Sequence, residues 1–284
     1  MTDTSIQIDR EHFSSIDGLQ IFYQANVPAS PRANILIVHG FGEHCGRYEE
    51  LTHSLTEQNY AVFRFDLRGH GRSDGKRGHI FDFDEYLQDF ACFKERALSH
   101  ASAASRTILI GHSYGGLVSL SSMLRDSSEI SALALSSPFF GVADDIPKWK
   151  VGLGKLLSRY LPSFSMPTDI DPNDVSHDPQ TVHEYGTDTL IGRTASTRWL
   201  TETLDAQSYA LANAARISVP VLWQQAGDDR LVCKHKGRAV FDQLSAADKT
   251  WIEYPDMFHE LYFELDRKTP LGALFKWLDA QLAE

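Results

Sequence analysis

The chain has 284 residues, 42% of them hydrophobic, enough to bury a large core near the upper size of one compact unit. Its formal charge of -11 argues against nucleic acid, whose phosphates reward clustered Lys and Arg, and against strongly anionic membrane surfaces. Cys45, Cys92 and Cys233 lack metal-type spacing, so neither a disulfide framework nor a zinc site is indicated, and a reducing, cytoplasmic setting is expected. Met1 to Phe13 is polar and charged, without the apolar centre of a signal peptide, and no later stretch approaches the roughly 20 apolar residues of a membrane span. A soluble protein is expected.

In chain order, the Asp17-Gly18 turn signal precedes Gln20 to Ala25, which reads as an antiparallel strand at the start of a sheet. Short apolar runs then recur at Ile35 to Val38, Ala61 to Phe65, Thr107 to Ile110, Ala132 to Leu135, Val219 to Trp223 and Thr250 to Tyr254. Helical patterns alternate with them, which predicts a parallel sheet. Arg47 to Gln58 reads as one helix, and Phe83, Tyr86, Leu87, Phe90 and Phe93 mark an amphipathic one by their three- and four-residue steps. Leu271, Leu274, Leu278 and Leu282 mark another at the end.

Between residues 139 and 216 the rhythm fails: Pro147, Pro162, Pro167, Pro172 and Pro179 interrupt it, and no convincing strand is visible. The segment reads as a cap inserted between two pieces of a core, 1–138 and 217–284. Its ends leave the sheet at the carboxyl edge, where open α/β sheets bind ligands. Within it, Lys148 to Leu161 is basic and apolar in an acidic protein. Its leucines either pack on the core and line a pocket, with Gly152 and Gly154 weakening a continuous helix, or the stretch touches a lipid surface.

The most informative string is Gly111-His112-Ser113-Tyr114-Gly115-Gly116, between the apolar run Thr107 to Ile110 and the helix opening Leu117-Val118. A strand that turns into a helix within a few residues holds its apex residue on strained backbone with the side chain lifted clear, which makes Ser113 a candidate nucleophile. A serine hydroxyl needs a base, and the base an acid to orient it. Asp228 and Asp229 lie in the turn after Val221 to Gln224, and one of them is expected to orient the base. His259, the only histidine downstream of the last strand, is the candidate base. Gly40 and Gly42 flank Phe41 directly after the strand Ile35 to Val38, so the Phe41 N–H, with that of Tyr114, can form an oxyanion hole.

These strings resemble the α/β-hydrolase fold and, within it, the monoacylglycerol lipase and lysophospholipase group. His39-Gly40-Phe41-Gly42-Glu43-His44 with Gly46-Arg47-Tyr48 is similar to that group's oxyanion loop, and Phe65 to His79 to the long loop after its second parallel strand. Gly111 to Gly116 is similar to its nucleophile elbow, Gln225 to Val232 to its acid turn, and Phe258-His259-Glu260 to its base loop. The resemblance runs from about Asp17 onward and is weakest in the cap. It implies an α/β core with an inserted cap, a mostly parallel sheet of eight or so strands flanked by helices, and hydrolysis of esters carrying one acyl chain. Ser113 would be the nucleophile, His259 the general base, and Phe41 with Tyr114 the oxyanion donors. It selects Asp229 over Asp228 as the acid.

No metal or organic cofactor is implied. His39, His44, His70, His79 and His112 crowd glycine loops without ligand spacing, so structural roles on loop backbone are expected. Arg68-Gly69-His70-Gly71-Arg72 reads as a turn rather than a phosphate cradle, because no Gly-Lys-Ser/Thr ending follows. A thioesterase, short-chain carboxylesterase or peptidase on the same fold, and more remotely a binding protein that keeps the pocket, are the alternatives.

Overall fold

The structure is a computed structural model that describes residues 6–100, 106–143, 148–168 and 170–283. In chain order its elements are β1 (Ile6–Ser14), β2 (Gln20–Pro28), β3 (Asn34–Val38), α1 (Glu49–Glu57), β4 (Ala61–Phe65), α2 (Asp84–His100), β5 (Thr107–His112), α3 (Tyr114–Arg125) and β6 (Ala132–Ser136). Then follow α4 (Lys148–Tyr160), β7 (Ser165–Pro167), α5 (Pro179–Thr187), β8 (Thr194–Ser196), α6 (Thr197–Asn213), β9 (Val221–Ala226), α7 (Lys234–Gln243), β10 (Lys249–Tyr254) and α8 (Lys268–Leu282).

Eight strands form one sheet in the order β1-β2-β4-β3-β5-β6-β9-β10. β1 and β2 pair antiparallel and β2 meets β4 antiparallel, whereas every pairing from β4 to β10 is parallel. Every residue of β3, β4, β5, β6 and β9 is buried. That is what a parallel sheet covered on both faces requires, and it explains the apolar runs of β3, β4 and β6, which only Arg64 of β4 interrupts from within. Alternation along β3 divides the core: Leu36 and Val38 face a cluster with Phe63, Leu109 and Leu117, while Ile35 and Ile37 face one with Val62, Ile108 and Leu278. The register aligns Val38 with Gly111, His112 with Ser136, Ser136 with Gln224, and Tyr254 with Ala226. The carboxyl ends of β3, β5, β9 and β10 therefore open on one edge.

Several elements differ from expectation. β1 gives no apolar signal because it is an edge strand, nearly all exposed, with Phe13 its buried residue. The helix expected from Arg47 begins as a 3-10 turn, Cys45–Tyr48, before α1. β9 starts two residues later than expected and runs through Gln224 and Gln225. Buried Gln224 is tolerated because its amide is satisfied: Nε2 donates to Tyr254 Oη at 2.6 Å and Pro270 O at 2.8 Å, and Oε1 accepts from Tyr262 Oη at 2.6 Å. The segment 139–216 does hold strands, β7 and β8, paired antiparallel; three residues each are too few for periodicity to register.

α4 runs unbroken through Gly152 and Gly154, and it packs the reverse way round from the core-facing reading of its leucines. Its small residues meet α6: Gly154 lies against Leu200, and the Ser158 and Thr201 hydroxyls are 2.7 Å apart. Leu153 and Leu156 point to solvent instead.

Candidate active site

Ser113 joins β5 to α3 with φ +50° and ψ −120°, a region that L side chains rarely occupy. The surroundings hold it there. Its N–H donates to Ser136 O (2.9 Å), and its carbonyl accepts from Gly116 N (2.9 Å) and Phe139 N (2.9 Å). The flanking glycines are set by close approach rather than by φ: a Cβ on Gly115 would meet Val38 O at 2.2 Å, and one on Gly111 would meet Gly115 O at 2.8 Å.

At the end of β9, Asp229 and Asp228 part company. Asp229 has a buried side chain whose Oδ1 accepts from the N–H groups of Leu231 and Val232, both at 2.9 Å, while Oδ2 accepts from His259 Nδ1 at 2.8 Å. Asp228 is exposed and reaches Arg230 at 3.7 Å. The Asp229 bond fixes the His259 tautomer with Nδ1 protonated, which leaves Nε2 as the basic nitrogen. Burial opposes the imidazolium form of His259, but the Asp229 charge and hydrogen bond, with Glu260 behind, outweigh burial and hold its pKa above 6.5.

The loop that carries His259 is clamped to the segment 174–181. Glu264, buried, accepts from Phe258 N (2.8 Å), His177 Nδ1 (2.9 Å) and His177 N (3.2 Å), and Glu260 N donates to Val175 O (2.9 Å). The Phe258 ring lies between His177, stacked at 3.6 Å, and the Arg230 guanidinium at 4.1 Å. After β3, Gly42 O accepts from Gly192 N at 2.7 Å, so the loop bearing Phe41 also rests on that segment.

Ser113, His259, Phe41 and Tyr114 all line one cavity of about 410 Å³. Its apolar wall comes mainly from Phe139, Val142, Met166, Trp199 and Leu200, and its polar end from Glu43 and Glu260. The Phe41 ring leans on Trp199 at 4.2 Å and meets Tyr114 edge-on at 5.8 Å, so the two residues expected to give oxyanion N–H groups also narrow this wall with their side chains.

The glycine-loop histidines spend their nitrogens locally. His39 Nδ1 donates to Gly40 O (2.7 Å) and its Nε2 accepts from Leu67 N (2.9 Å); burial, with His70 nearby, lowers its pKa to about 3. His70 Nδ1 donates to Arg68 O (2.9 Å), and burial lowers its pKa to about 4. His44 bridges Gly46 N and Asp188, and His79 bridges Ser196 and Ser163. Reading the sequence for a triad passes over one group: Glu43, His112 and Glu260 bring ligand-type atoms within 4.8 Å of one another, and Arg47 already supplies the positive charge there. The signal available for it was two carboxylates, one beside the glycine loop and one beside the base.

A doubly covered, mostly parallel sheet with a strained serine after β5, an acid after β9 and a histidine after β10 defines an α/β hydrolase. The chain belongs to the family described as "Serine aminopeptidase, S33", whose model matches residues 29–266. A monoacylglycerol lipase of Mycolicibacterium smegmatis is 29% identical over 275 residues, covering 96% of this chain and 98% of that protein. The monoglyceride lipase of Rattus norvegicus is 31% identical over 287 residues, covering 97% and 92%. The crystal structure of a Paleococcus ferrophilus monoacylglycerol lipase superposes with a TM-score of 0.84 at 29% identity, covering 92% of this chain and 99% of that one.

Proposed function

We propose that this protein is a serine hydrolase of carboxylic esters that carry a single acyl chain, monoacylglycerols and lysophospholipids being the substrate class. The observation that carries the reading is the cavity itself, where a serine on strained backbone and a histidine bonded to a buried aspartate share an apolar wall. Relatives named as monoacylglycerol or monoglyceride lipases along nearly the whole chain support the substrate class.

In this mechanism Ser113 Oγ attacks the acyl carbonyl while His259 Nε2 takes its proton, and Asp229 stabilises the imidazolium that forms. The Phe41 and Tyr114 N–H groups hold the oxyanion. His259 then protonates the leaving alcohol and activates the water that releases the fatty acid. The acyl chain lies along the apolar wall, where each buried CH₂ contributes about 0.8 kcal/mol. Residues 139–216 act as the cap, since Phe139, Met166, Trp199 and Leu200 of that wall come from them.

The side chains of Trp149, Leu153, Leu156, Leu161 and Phe164 are exposed, and Met166, two residues after Phe164, is exposed and lines the cavity. That exposed apolar set supports a cap that touches the lipid surface from which substrate enters. Cleavage from a peptide's amino end, the chemistry in the family's description, would need a free carboxylate for the ammonium group, and at the polar end Glu260 is bound by Arg47 while Glu43 accepts from Tyr48.

Trapping by a fluorophosphonate, located by mass spectrometry, tests the nucleophile, and turnover of monoacylglycerol against acyl-CoA and a dipeptide amide tests the class. Labelling at Ser113 and a loss of at least about a thousandfold in kcat for Ser113→Ala are expected. Turnover unaffected by Ser113→Ala would remove the reading, and labelling without turnover of any ester would leave a binding protein.

A further inference from the structure

Glu43 is a buried acid that the mechanism above does not use. Its N–H donates to Gly40 O (3.3 Å), so the carboxyl lies beneath the glycine loop that carries Phe41. A methyl group on Gly40 would meet Glu43 Oε1 at 2.9 Å and Ser113 Cβ at 3.2 Å. Glu43 Oε2 accepts from Tyr48 Oη at 2.9 Å. Oε1 faces Arg47 Nη1 at 3.5 Å and His112 Nε2 at 3.6 Å. Arg47 is committed elsewhere, with bonds of 2.6 and 2.7 Å to the two oxygens of Glu260.

His112 settles which group carries a proton. Its Nδ1–H donates to Ser136 O (3.1 Å), so Nε2 presents a lone pair, and that buried nitrogen has no hydrogen-bond partner among the described residues. An ionised Glu43 would set oxygen lone pairs against it; a protonated one offers an O–H. Burial, and then the neighbouring His259 and Arg47, keeps His112 from charging.

We propose that Glu43 is held as the neutral carboxylic acid and that its O–H, directed at His112 Nε2, ties the oxyanion loop to the strand that ends at Ser113. Glu43 is thus a positioning residue, acting through His112 and the Gly40-Phe41 loop, and the inference rests on the roles assigned above to Ser113 and His259. Burial pushes the Glu43 pKa up to about 7; Glu260 adds to this, while Arg47, the Tyr48 hydroxyl and His259 work against it. Tyr185 of α5 also feels this charge. Ionisation above neutrality removes the donor from His112 and adds a negative charge to the cavity in which the oxyanion forms, so activity falls on the alkaline side.

The test is the pH profile of kcat/KM on a soluble short-chain monoester for wild type, Glu43→Gln, Glu43→Ala and Tyr48→Phe. Glutamine reproduces the neutral acid, accepting from Tyr48 and donating to His112. Glu43→Gln is expected to stay within about threefold of wild type near pH 6 and to lose the alkaline fall, whereas Glu43→Ala loses about tenfold or more in kcat. Tyr48→Phe removes a donor that favours the carboxylate, so its alkaline fall moves to higher pH. A Glu43→Gln enzyme as impaired as Glu43→Ala at every pH, or one with the alkaline fall intact, overturns the proposal.

The infrared band of a protonated carboxyl, present in the wild type near pH 6, lost as pH rises past neutrality and missing from Glu43→Gln, is a readout independent of turnover. Should Glu43→Gln fail to fold, the wild-type band and the Tyr48→Phe shift decide, and absence of both overturns it. Activity that survives Ser113→Ala would instead sink the nucleophile assignment and leave the infrared result standing.

Discussion

Asp228 and Asp229 are adjacent and carry the same side chain, so what separates them is surroundings. Two N–H groups of the following turn hold Asp229 in place to accept from His259, whereas Asp228 stays in solvent. Asp229→Asn should cost roughly a thousandfold to ten-thousandfold in kcat, because an amide can stabilise the wrong imidazole tautomer, while Asp228→Asn stays within about threefold. The pH profile adds a sign. Neutral His259 is the working form and its pKa is raised, so the acid limb lies above 6.5; without the Asp229 charge burial wins, and the limb moves to lower pH. The same shift makes His259 stabilise the fold below pH 6.5, a contribution lost as pH rises through the folded pKa. Ser113, His259 and the Asp pair were legible in the sequence because each follows an apolar strand. Glu43 and Arg47 were not, since loop carboxylates and cations have no periodicity and take their chemistry from burial, which only the fold creates.

At the scale of elements, the turn between β5 and α3 depends on how closely α3 approaches β3. A Cβ at Gly115 would lie 2.2 Å from Val38 O and 2.4 Å from His39 O, both backbone atoms that can yield only if the strand moves. Gly115→Ala is therefore expected to destabilise by about 3 kcal/mol or more. Gly272, inside α8 with nothing within 4 Å of its Cβ position, is the control: Gly272→Ala should stabilise by about 0.5–1 kcal/mol. Urea unfolding of the two variants measures both, and equal midpoints would show that the close approach carries no energy. β3 to β6 were legible for the reason that makes Gly115 unforgiving: every residue is buried, so most positions are Ile, Leu, Val, Phe or Ala, and buried Arg64 inside β4 is held by Thr52 and Glu49. β1 is held by backbone pairing to β2 instead, and its mostly exposed side chains leave no apolar trace in the sequence.

For the whole molecule, the parallel sheet and the edge bearing the site followed from strand rhythm, but the packing within residues 139–216 did not, because its helices answer to the core and to solvent in an order that periodicity cannot rank. α4 shows this: the amphipathic pattern in Lys148 to Leu161 is real, yet Gly154 and Ser158 pack on α6 while Trp149 at 67%, Leu156 at 56% and Tyr160 at 68% exposure face outward. A face of that size beside Lys155 and Arg159 suits the interfacial region of a bilayer, with the -11 charge of the chain opposing strongly anionic membranes. Co-sedimentation with phosphatidylcholine vesicles is the measurement. Two such side chains each contribute about 1.5–3 kcal/mol when fully buried, so Trp149→Ala with Leu153→Ala should weaken vesicle binding by at least about tenfold even if burial is partial. Neither residue lines the cavity, so turnover of a soluble short-chain ester should hold while turnover of vesicle-borne monoacylglycerol falls. Vesicle binding unchanged in the double variant would mean that this face serves something other than lipid, and substrate would then have to reach Ser113 from solution.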